Sequence, residues 1–156
     1  MSLQQPHGLR QPRPPYNRVR MAHYGSPITS DLAKTVAAAA LAEARANGWT
    51  MAAAVVDPAG ILVYFEKVDD TQHASPKIAI DKARSAAMFK RPTKTFQDSV
   101  ERGGAGLRVM TLRGASAVEG GVPIVVDGKI VGGLGVSGGT AEQDGQCCKA
   151  ATDALV

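Results

Sequence analysis

The chain has 156 residues, 44% of them hydrophobic, and its 18 Lys and Arg against 14 Asp and Glu give a formal net charge of +4. This length supports one hydrophobic core, and no apolar run approaches the about 18 residues of a membrane-spanning helix. The N-terminus lacks the apolar core of a signal peptide, so we expect a cytoplasmic protein.

The positive charge is concentrated at the N-terminus. Residues 1–25 contain four arginines and no acidic residue, whereas the remaining 14 basic and 14 acidic residues cancel. A nucleic-acid-binding domain needs a basic face on the fold itself, so we expect no nucleic-acid partner and no membrane partner. Four prolines also lie in this segment. The sequence therefore predicts a disordered or extended basic, Pro-rich tail over residues 1–25 and a single domain over residues 26–156.

The first predicted elements are a helix and a hairpin. A helix is predicted over residues 29–47, because apolar side chains recur there at helical spacing. Two strands follow over residues 51–57 and 61–68, joined by a Pro-Ala-Gly turn. An aspartate at the start of such a turn typically accepts backbone N–H bonds, so Asp57 has either that role or contact with a ligand.

Two further helices are predicted in the middle of the chain. Ser75 is predicted as an N-cap followed by proline, and the helix runs to about Phe89. A shorter helix near residues 93–101 leads to the glycine-rich residues 103–106, which composition predicts to be a mobile loop. The last helix begins after Thr140, which with the glutamine three residues later forms a capping-box pattern.

The most informative stretch is residues 119–139, EGGVPIVVDGKIVGGLGVSGG. Two β-branched runs flank an Asp-Gly pair, which is a strong signal for a short hairpin. Seven glycines flank or interrupt it, and they indicate close backbone approach, either to another element or subunit or to a ligand. With a further strand placed before this hairpin, the order is α-β-β-α-α-β-β-β-α, which favours a largely antiparallel sheet.

This stretch, together with residues 54–60 (AVVDPAG) and 78–86 (IAIDKARSA), resembles the GlcG/HbpS family, also called the haem-degrading or DUF336 family. The resemblance covers roughly residues 28–155. It implies an α+β fold with three layers, α/β/α, around a five-stranded antiparallel sheet of profilin-like or PAS-like type. It also implies a homo-oligomer, either a dimer or a larger assembly.

The resemblance implies a small-ligand-binding protein that binds haem as its cofactor and assists haem degradation. Two alternatives remain open. One is a binding protein or enzyme for a small organic acid in a catabolic pathway, and the other is a non-catalytic oligomeric module. The chain contains neither a nucleotide-binding glycine loop nor a GxSxG nucleophile motif, and no catalytic residue is assigned.

The ligand pocket is expected between the second helix and residues 120–123, where paired glycines leave backbone N–H groups unshielded. The candidate ligand-binding residues are Asp57, Lys82, Ser85, Glu119, Gly120, Gly121 and Pro123. Lys82 and Arg84 are either partners for carboxylates of a haem or an organic acid, or solvated helix charges.

Two histidines are candidate axial ligands of a haem iron, His23 just before the first helix and His73 in the loop that enters the second. The first helix itself contains no histidine. The adjacent Cys147 and Cys148 diverge by about 100° on a helix. They are poorly placed to bond to each other, which fits a reducing compartment, while a vicinal redox pair is the alternative.

Overall fold

The computed structural model describes residues 22–155. The predicted tail therefore lies outside the described residues except for its last four positions. In chain order the elements are β1 (His23–Tyr24), α1 (Ser30–Ala46), β2 (Ala52–Val56), β3 (Leu62–Lys67), α2 (Ser75–Met88), α3 (Thr93–Arg102), a 3-10 helix (Gly104–Thr111), β4 (Gly121–Val126), β5 (Lys129–Ser137) and α4 (Ala141–Asp153). Both predicted hairpins and all four predicted α-helices are present.

The five strands form one sheet centred on β5. Strand β5 pairs antiparallel with β4 and with β2, and β2 pairs antiparallel with β3. The short β1 runs parallel to the start of β5, with His23 opposite Lys129 and Tyr24 opposite Ile130. The prediction of an extra strand before β4 was wrong, since the fifth strand is β1, in residues that the sequence assigned to the tail. Two residues are too few to show the alternation that identifies a strand.

Helices cover both faces of the sheet, which confirms the three-layer α+β architecture. The larger core lies where α1 and α4 pack on one face, and Ala53 and Val55 of β2 point into it. On the other face, Ala79 and Ala83 of α2 pack against the alternate residues of β2. The small side chains let α2 approach the sheet closely. At Gly135 of β5 there is no room for a side chain, because an added Cβ would lie 1.9 Å from the carbonyl oxygen of Ala79.

Local signals at the turns and caps are mostly confirmed. The Asp127-Gly128 turn has φ values of 50° and 72°, as a type I′ hairpin requires. Thr140 and its partner form both bonds of the capping box at α4. In contrast, Ser75 is not the N-cap of α2 but lies inside it, where its buried hydroxyl accepts a bond from Ser137.

Of the glycine-rich residues 103–106, predicted as a mobile loop, residues 104–106 instead form the start of the 3-10 helix. Within residues 22–155, none of the helices combines the length and the apolar character that crossing a membrane requires.

Candidate functional site

A surface cleft of about 450 Å³ lies beside the exposed side of α2. Asp81, Arg84 and Met88 of α2 form one wall, and the loop of residues 114–116 after the 3-10 helix forms the other. The volume is within the range of about 300–1,000 Å³ that small-molecule sites occupy. The cleft thus presents a carboxylate, a guanidinium and a thioether to the same space.

Arg84 is anchored by the turn between β2 and β3. Its Nε donates a hydrogen bond of 2.9 Å to the carbonyl oxygen of Gly60. No carboxylate among residues 22–155 forms an ion pair with it. Since a guanidinium has five N–H donors in a planar fork, its terminal nitrogens are available to an acceptor in the cleft.

The opposite wall is held in place by Ser85. This buried serine accepts a 2.9 Å hydrogen bond at Oγ from the backbone N–H of Ser116. Met88 is 56% exposed, and Ile61, next to Gly60, is also exposed. Ser85, predicted as a ligand contact, therefore holds the loop, and Met88 gives the cleft an apolar side chain beside its charged groups.

Lys82, a second predicted ligand residue, is buried. Its side chain is 1% exposed and that of Asp144 in α4 is 4% exposed, with 2.6 Å between Nζ and Oδ2. Nζ also donates to the carbonyl oxygen of Val136 at 3.1 Å, and Asp144 Oδ1 accepts from the backbone N–H of Gly139. Burial raises the pKa of Asp144, and the attraction of Lys82 offsets part of that rise. The pair joins α2 to α4 inside the protein, away from the cleft.

Gly120 and Gly121 lie against this buried pair. A Cβ added at Gly120, where φ is +119°, would come within 2.7 Å of Lys82 Nζ, and one at Gly121 would lie 2.5 Å from the Lys82 carbonyl oxygen. Pro123 pairs in the sheet opposite Gly133. Residues 120–123 are not among those that line the cleft. The structure therefore gives the two glycines a packing role against Lys82, and ligand contact at residues 120–123 stays a prediction.

The remaining predicted ligand residues also have structural partners. Asp57 Oδ1 accepts the backbone N–H groups of Ala59 and Ile61, each at 2.9 Å, as the turn interpretation predicted. Glu119 is half-buried, and its backbone N–H donates to Gln97. Neither residue lines the cleft.

Both candidate axial histidines are exposed, and neither lines the cleft. The neighbour of His23, Tyr24, donates its hydroxyl to the carbonyl oxygens of Ala87 and Met88 at the end of α2, whereas alternation along β1 directs His23 to the opposite side of the strand. Residues 22–155 contain no group of three or more His, Cys, Asp or Glu side chains placed to hold a metal ion.

The two cysteines are buried and free. Cys147 Sγ lies 3.6 Å from the sulfur of Met51, while Cys148 Sγ donates to the carbonyl oxygen of Gly120 at 3.2 Å. Burial raises the pKa of Cys147 to about 12 and raises that of Cys148 as well. Their partners lie in different directions, which agrees with the predicted divergence and leaves the thiols protonated at neutral pH.

Three parts of the cleft were not predicted from the sequence: Asp81, Met88 and the loop of residues 114–116. Asp81, Arg84 and Met88 are three and four residues apart, so helical periodicity places them on one face of α2, opposite the buried alanines. That spacing was a usable signal. The loop offered none, since its position depends on the hydrogen bond from Ser116 to Ser85.

Comparison with known proteins identifies a matching family, related sequences and crystal structures with the same fold. The sequence matches the family model described as haem degrading protein HbpS-like over residues 28–153. Protein GlcG of Escherichia coli K12 is 38% identical over 110 residues, which cover 70% of this chain and 81% of GlcG.

Two crystal structures share the fold. The Klebsiella pneumoniae protein ORFY, of family DUF336, has a TM-score of 0.76 and 28% identity, over 88% of this chain and 96% of ORFY. The PduOC–haem complex has a TM-score of 0.74 and 27% identity, over 83% of this chain and 95% of PduOC.

Proposed function

The chain belongs to the family of haem degrading HbpS-like proteins, and we propose that it binds haem in the cleft beside α2. The observation that carries the proposal is Arg84, an anchored guanidinium without an ion-pair partner among the described residues, in a cleft of ligand size. The crystal structure of a haem complex of a relative with the same fold supports it.

The chemistry of the cleft residues fits a haem. Its propionates are carboxylates, which a guanidinium binds through two parallel hydrogen bonds. Met88, which is exposed and lines the cleft, offers apolar contact to the ring, and a methionine sulfur is one of the side-chain groups that hold haem iron. A bound haem would supply iron redox chemistry, while the residues of the chain bind and orient it.

Three side chains are candidates for the axial position. Met88 lines the cleft, and His23 precedes Tyr24, whose hydroxyl bonds to the Met88 carbonyl oxygen. His73 lies just before α2. The absorption spectrum of a haem depends on the axial ligand of its iron, so an imidazole and a thioether give different Soret maxima. Spectra of His23→Ala, His73→Ala and Met88→Leu therefore identify the ligand as the residue whose loss moves the Soret maximum. If none moves it, none of the three is the ligand.

A haemin titration followed at the Soret band tests the binding proposal. Arg84→Gln should weaken haemin binding roughly two- to fivefold, as expected for a solvent-exposed charge pair. Arg45→Gln is the matched control, since Arg45 pairs with Glu66 and belongs to α1, which lies on the other face of the sheet. The proposal is wrong if the wild-type protein binds haemin no better than an unrelated protein does.

Assistance to haem degradation is tested with the same complex. With a mild reductant and oxygen present, bound haem should lose its Soret band faster than free haem. Equal rates would limit the function to binding.

A small organic acid is the second candidate, because a small carboxylate needs only Arg84 and not the iron ligand. A thermal-shift screen of small acids addresses it, since a ligand at 100 times its Kd adds about 2.7 kcal/mol of stability. A shift that Arg84→Gln removes would support this reading, and no shift with any acid would oppose it.

We also propose a homo-oligomer in the cytoplasm. Leu107, Met110 and Leu112 are exposed apolar side chains in and just after the 3-10 helix, which supports a subunit contact there. Buried free thiols fit a reducing compartment. Light scattering that finds a stable monomer at micromolar concentration would contradict the assembly, and recovery from a secreted fraction would contradict the location.

A further inference from the structure

We infer that Asp57 is a positioning residue, which orients the guanidinium of Arg84 through the β2–β3 turn without contacting the ligand. The inference rests on the proposed function for what Arg84 binds. The orientation itself rests on hydrogen bonds that are present in the protein alone, and it is therefore testable without any ligand.

The turn is fixed by bonds from Asp57 to the residues that follow it. Its Oδ1 accepts the N–H groups of Ala59 and Ile61, each at 2.9 Å. Its backbone carbonyl accepts the N–H of Gly60, and its own N–H donates to Ile61, again at 2.9 Å. Gly60 has a φ of +81°, which glycine adopts without strain. Together these bonds fix the direction of the Gly60 carbonyl group.

That carbonyl group sets the orientation of Arg84. Arg84 Nε donates to it at 2.9 Å, and the flexible stem packs on the same glycine, where an added Cβ would be 3.4 Å from Arg84 Cγ and 3.0 Å from Met88 Sδ. Because Nε lies in the plane of the guanidinium, its bond restricts that plane and leaves the edge between the two terminal nitrogens free for an acceptor. A guanidinium held in this way loses less conformational freedom when it binds a carboxylate.

The geometry predicts a distinctive pattern of substitutions at Asp57. Both side-chain bonds end on the same oxygen, Oδ1, so the amide oxygen of Asp57→Asn can accept them while Asp57→Ala cannot. If the negative charge of Asp57 acted on the ligand directly, the asparagine variant would fail as the alanine variant does. Rescue by asparagine therefore separates positioning from charge.

The first experiment observes the Arg84 Nε–H resonance by NMR in the protein without ligand. Arg84→Lys assigns the signal by its loss. Asp57→Ala should move it toward the free-arginine position and speed its exchange with water, whereas Asp57→Asn should keep it. The Nε–H of Arg91, which bonds to Phe89 at 2.9 Å, is an internal control that should not change.

Asp57→Ser keeps a weaker acceptor in the same turn. It should give an intermediate shift, and it replaces the alanine variant if that one does not fold. An Arg84 signal that is unchanged in the folded alanine or serine variant overturns the inference.

The second experiment measures binding in a double-mutant cycle. Asp57→Ala should weaken haemin binding roughly two- to threefold in the wild-type background and not at all when Arg84→Gln is present. Haemin dimethyl ester has the same iron and ring but no free carboxylates, so its affinity should not respond to either substitution. Asp127→Ala, in the β4–β5 turn away from Arg84, controls for a general loss of stability.

If Asp57→Ala weakens haemin binding equally with and without Arg84→Gln, Asp57 does not act through Arg84, and the inference is overturned. If no variant binds haemin, the proposed function fails, while the NMR result still decides whether Asp57 orients Arg84.

Discussion

Replacing Lys82 with methionine should destabilise the fold far more than replacing an exposed lysine. The substitution removes the only cation that pairs with Asp144 among the described residues and leaves that carboxylate 4% exposed. Breaking a buried pair from one side costs about 3–5 kcal/mol of unfolding free energy, because the remaining charge has neither its partner nor water. The bond from Nζ to the Val136 carbonyl oxygen, about 0.5–1.5 kcal/mol, is lost as well.

Asp144 itself limits the cost. It keeps the hydrogen bond from the backbone N–H of Gly139, and its pKa, already raised by burial, rises further once the cation is gone. The carboxyl group then takes up a proton more readily, which relieves part of the cost of an unpaired buried charge. For that reason we expect a loss of about 3 kcal/mol near neutral pH, at the lower end of the range.

Removing both charges should restore much of the stability. In Lys82→Met/Asp144→Asn no charge is left in the interior, so the double variant should lose less than the sum of the single variants, by about 2 kcal/mol or more. Urea unfolding followed by circular dichroism gives these values, provided that the m-values stay equal. Lys94→Met is the control, since Lys94 and Asp98 are 51% and 40% exposed, and its unfolding midpoint in urea should stay close to that of the wild type.

A loss below about 1 kcal/mol for Lys82→Met would refute a structural role for the ion pair, given the magnitude expected for buried pairs. If the double variant loses as much unfolding free energy as the two single variants together, the two side chains do not act as a pair. A large drop in haemin affinity in the folded variant would instead support the sequence-based prediction that Lys82 contacts the ligand.

Three further predictions concern packing, thiols and capping. Gly121→Val should cost about 1–3 kcal/mol or more in thermal unfolding, because its Cβ would lie 2.5 Å from the carbonyl oxygen of Lys82; a variant as stable as wild type would contradict the close packing. Cys147 and Cys148 should react with a thiol reagent only after unfolding, and fast native labelling would contradict their burial. Since unfolded thiols ionise near pH 9.0 and folded Cys147 only near about 12, the folded state holds protons that the unfolded state has lost. Stability should therefore fall above pH 9 by about 1.4 kcal/mol per pH unit for each thiol, and a cysteine-free variant should not share that slope. Thr140→Ala should cost about 1 kcal/mol through the capping box of α4, and an unchanged midpoint in urea would contradict this.

The parts of the fold that the sequence predicted depend on neighbouring residues. The Asp127-Gly128 hairpin and the capping box after Thr140 each follow from residues within three positions of one another. The strand β1 was missed because its two residues are ordered by pairing with β5, more than 100 positions away. Pairings at this distance leave no local pattern in the sequence.

The same limit applies to the candidate site. Lys82 was predicted as a ligand residue because nothing near it in the sequence indicates that its side chain is buried. Its partner, Asp144, is 62 residues away, so the ion pair could not be recognised from the sequence. Arg84 was recognised as a possible carboxylate partner, but its anchor at Gly60 lies in a different element. Asp57 was correctly read as a turn residue, and only the structure connects that turn to the cleft.

Mapping the bound ligand on the protein tests the central claim most directly. Gallium protoporphyrin, a diamagnetic analogue that keeps both propionates, allows backbone NMR shifts to be followed during a titration. The account predicts that the largest shifts fall on residues 81–88 and 114–116, which form the two walls of the cleft, and that Arg84→Gln reduces them. Shifts centred on residues 120–123, or on any surface away from α2, would contradict it.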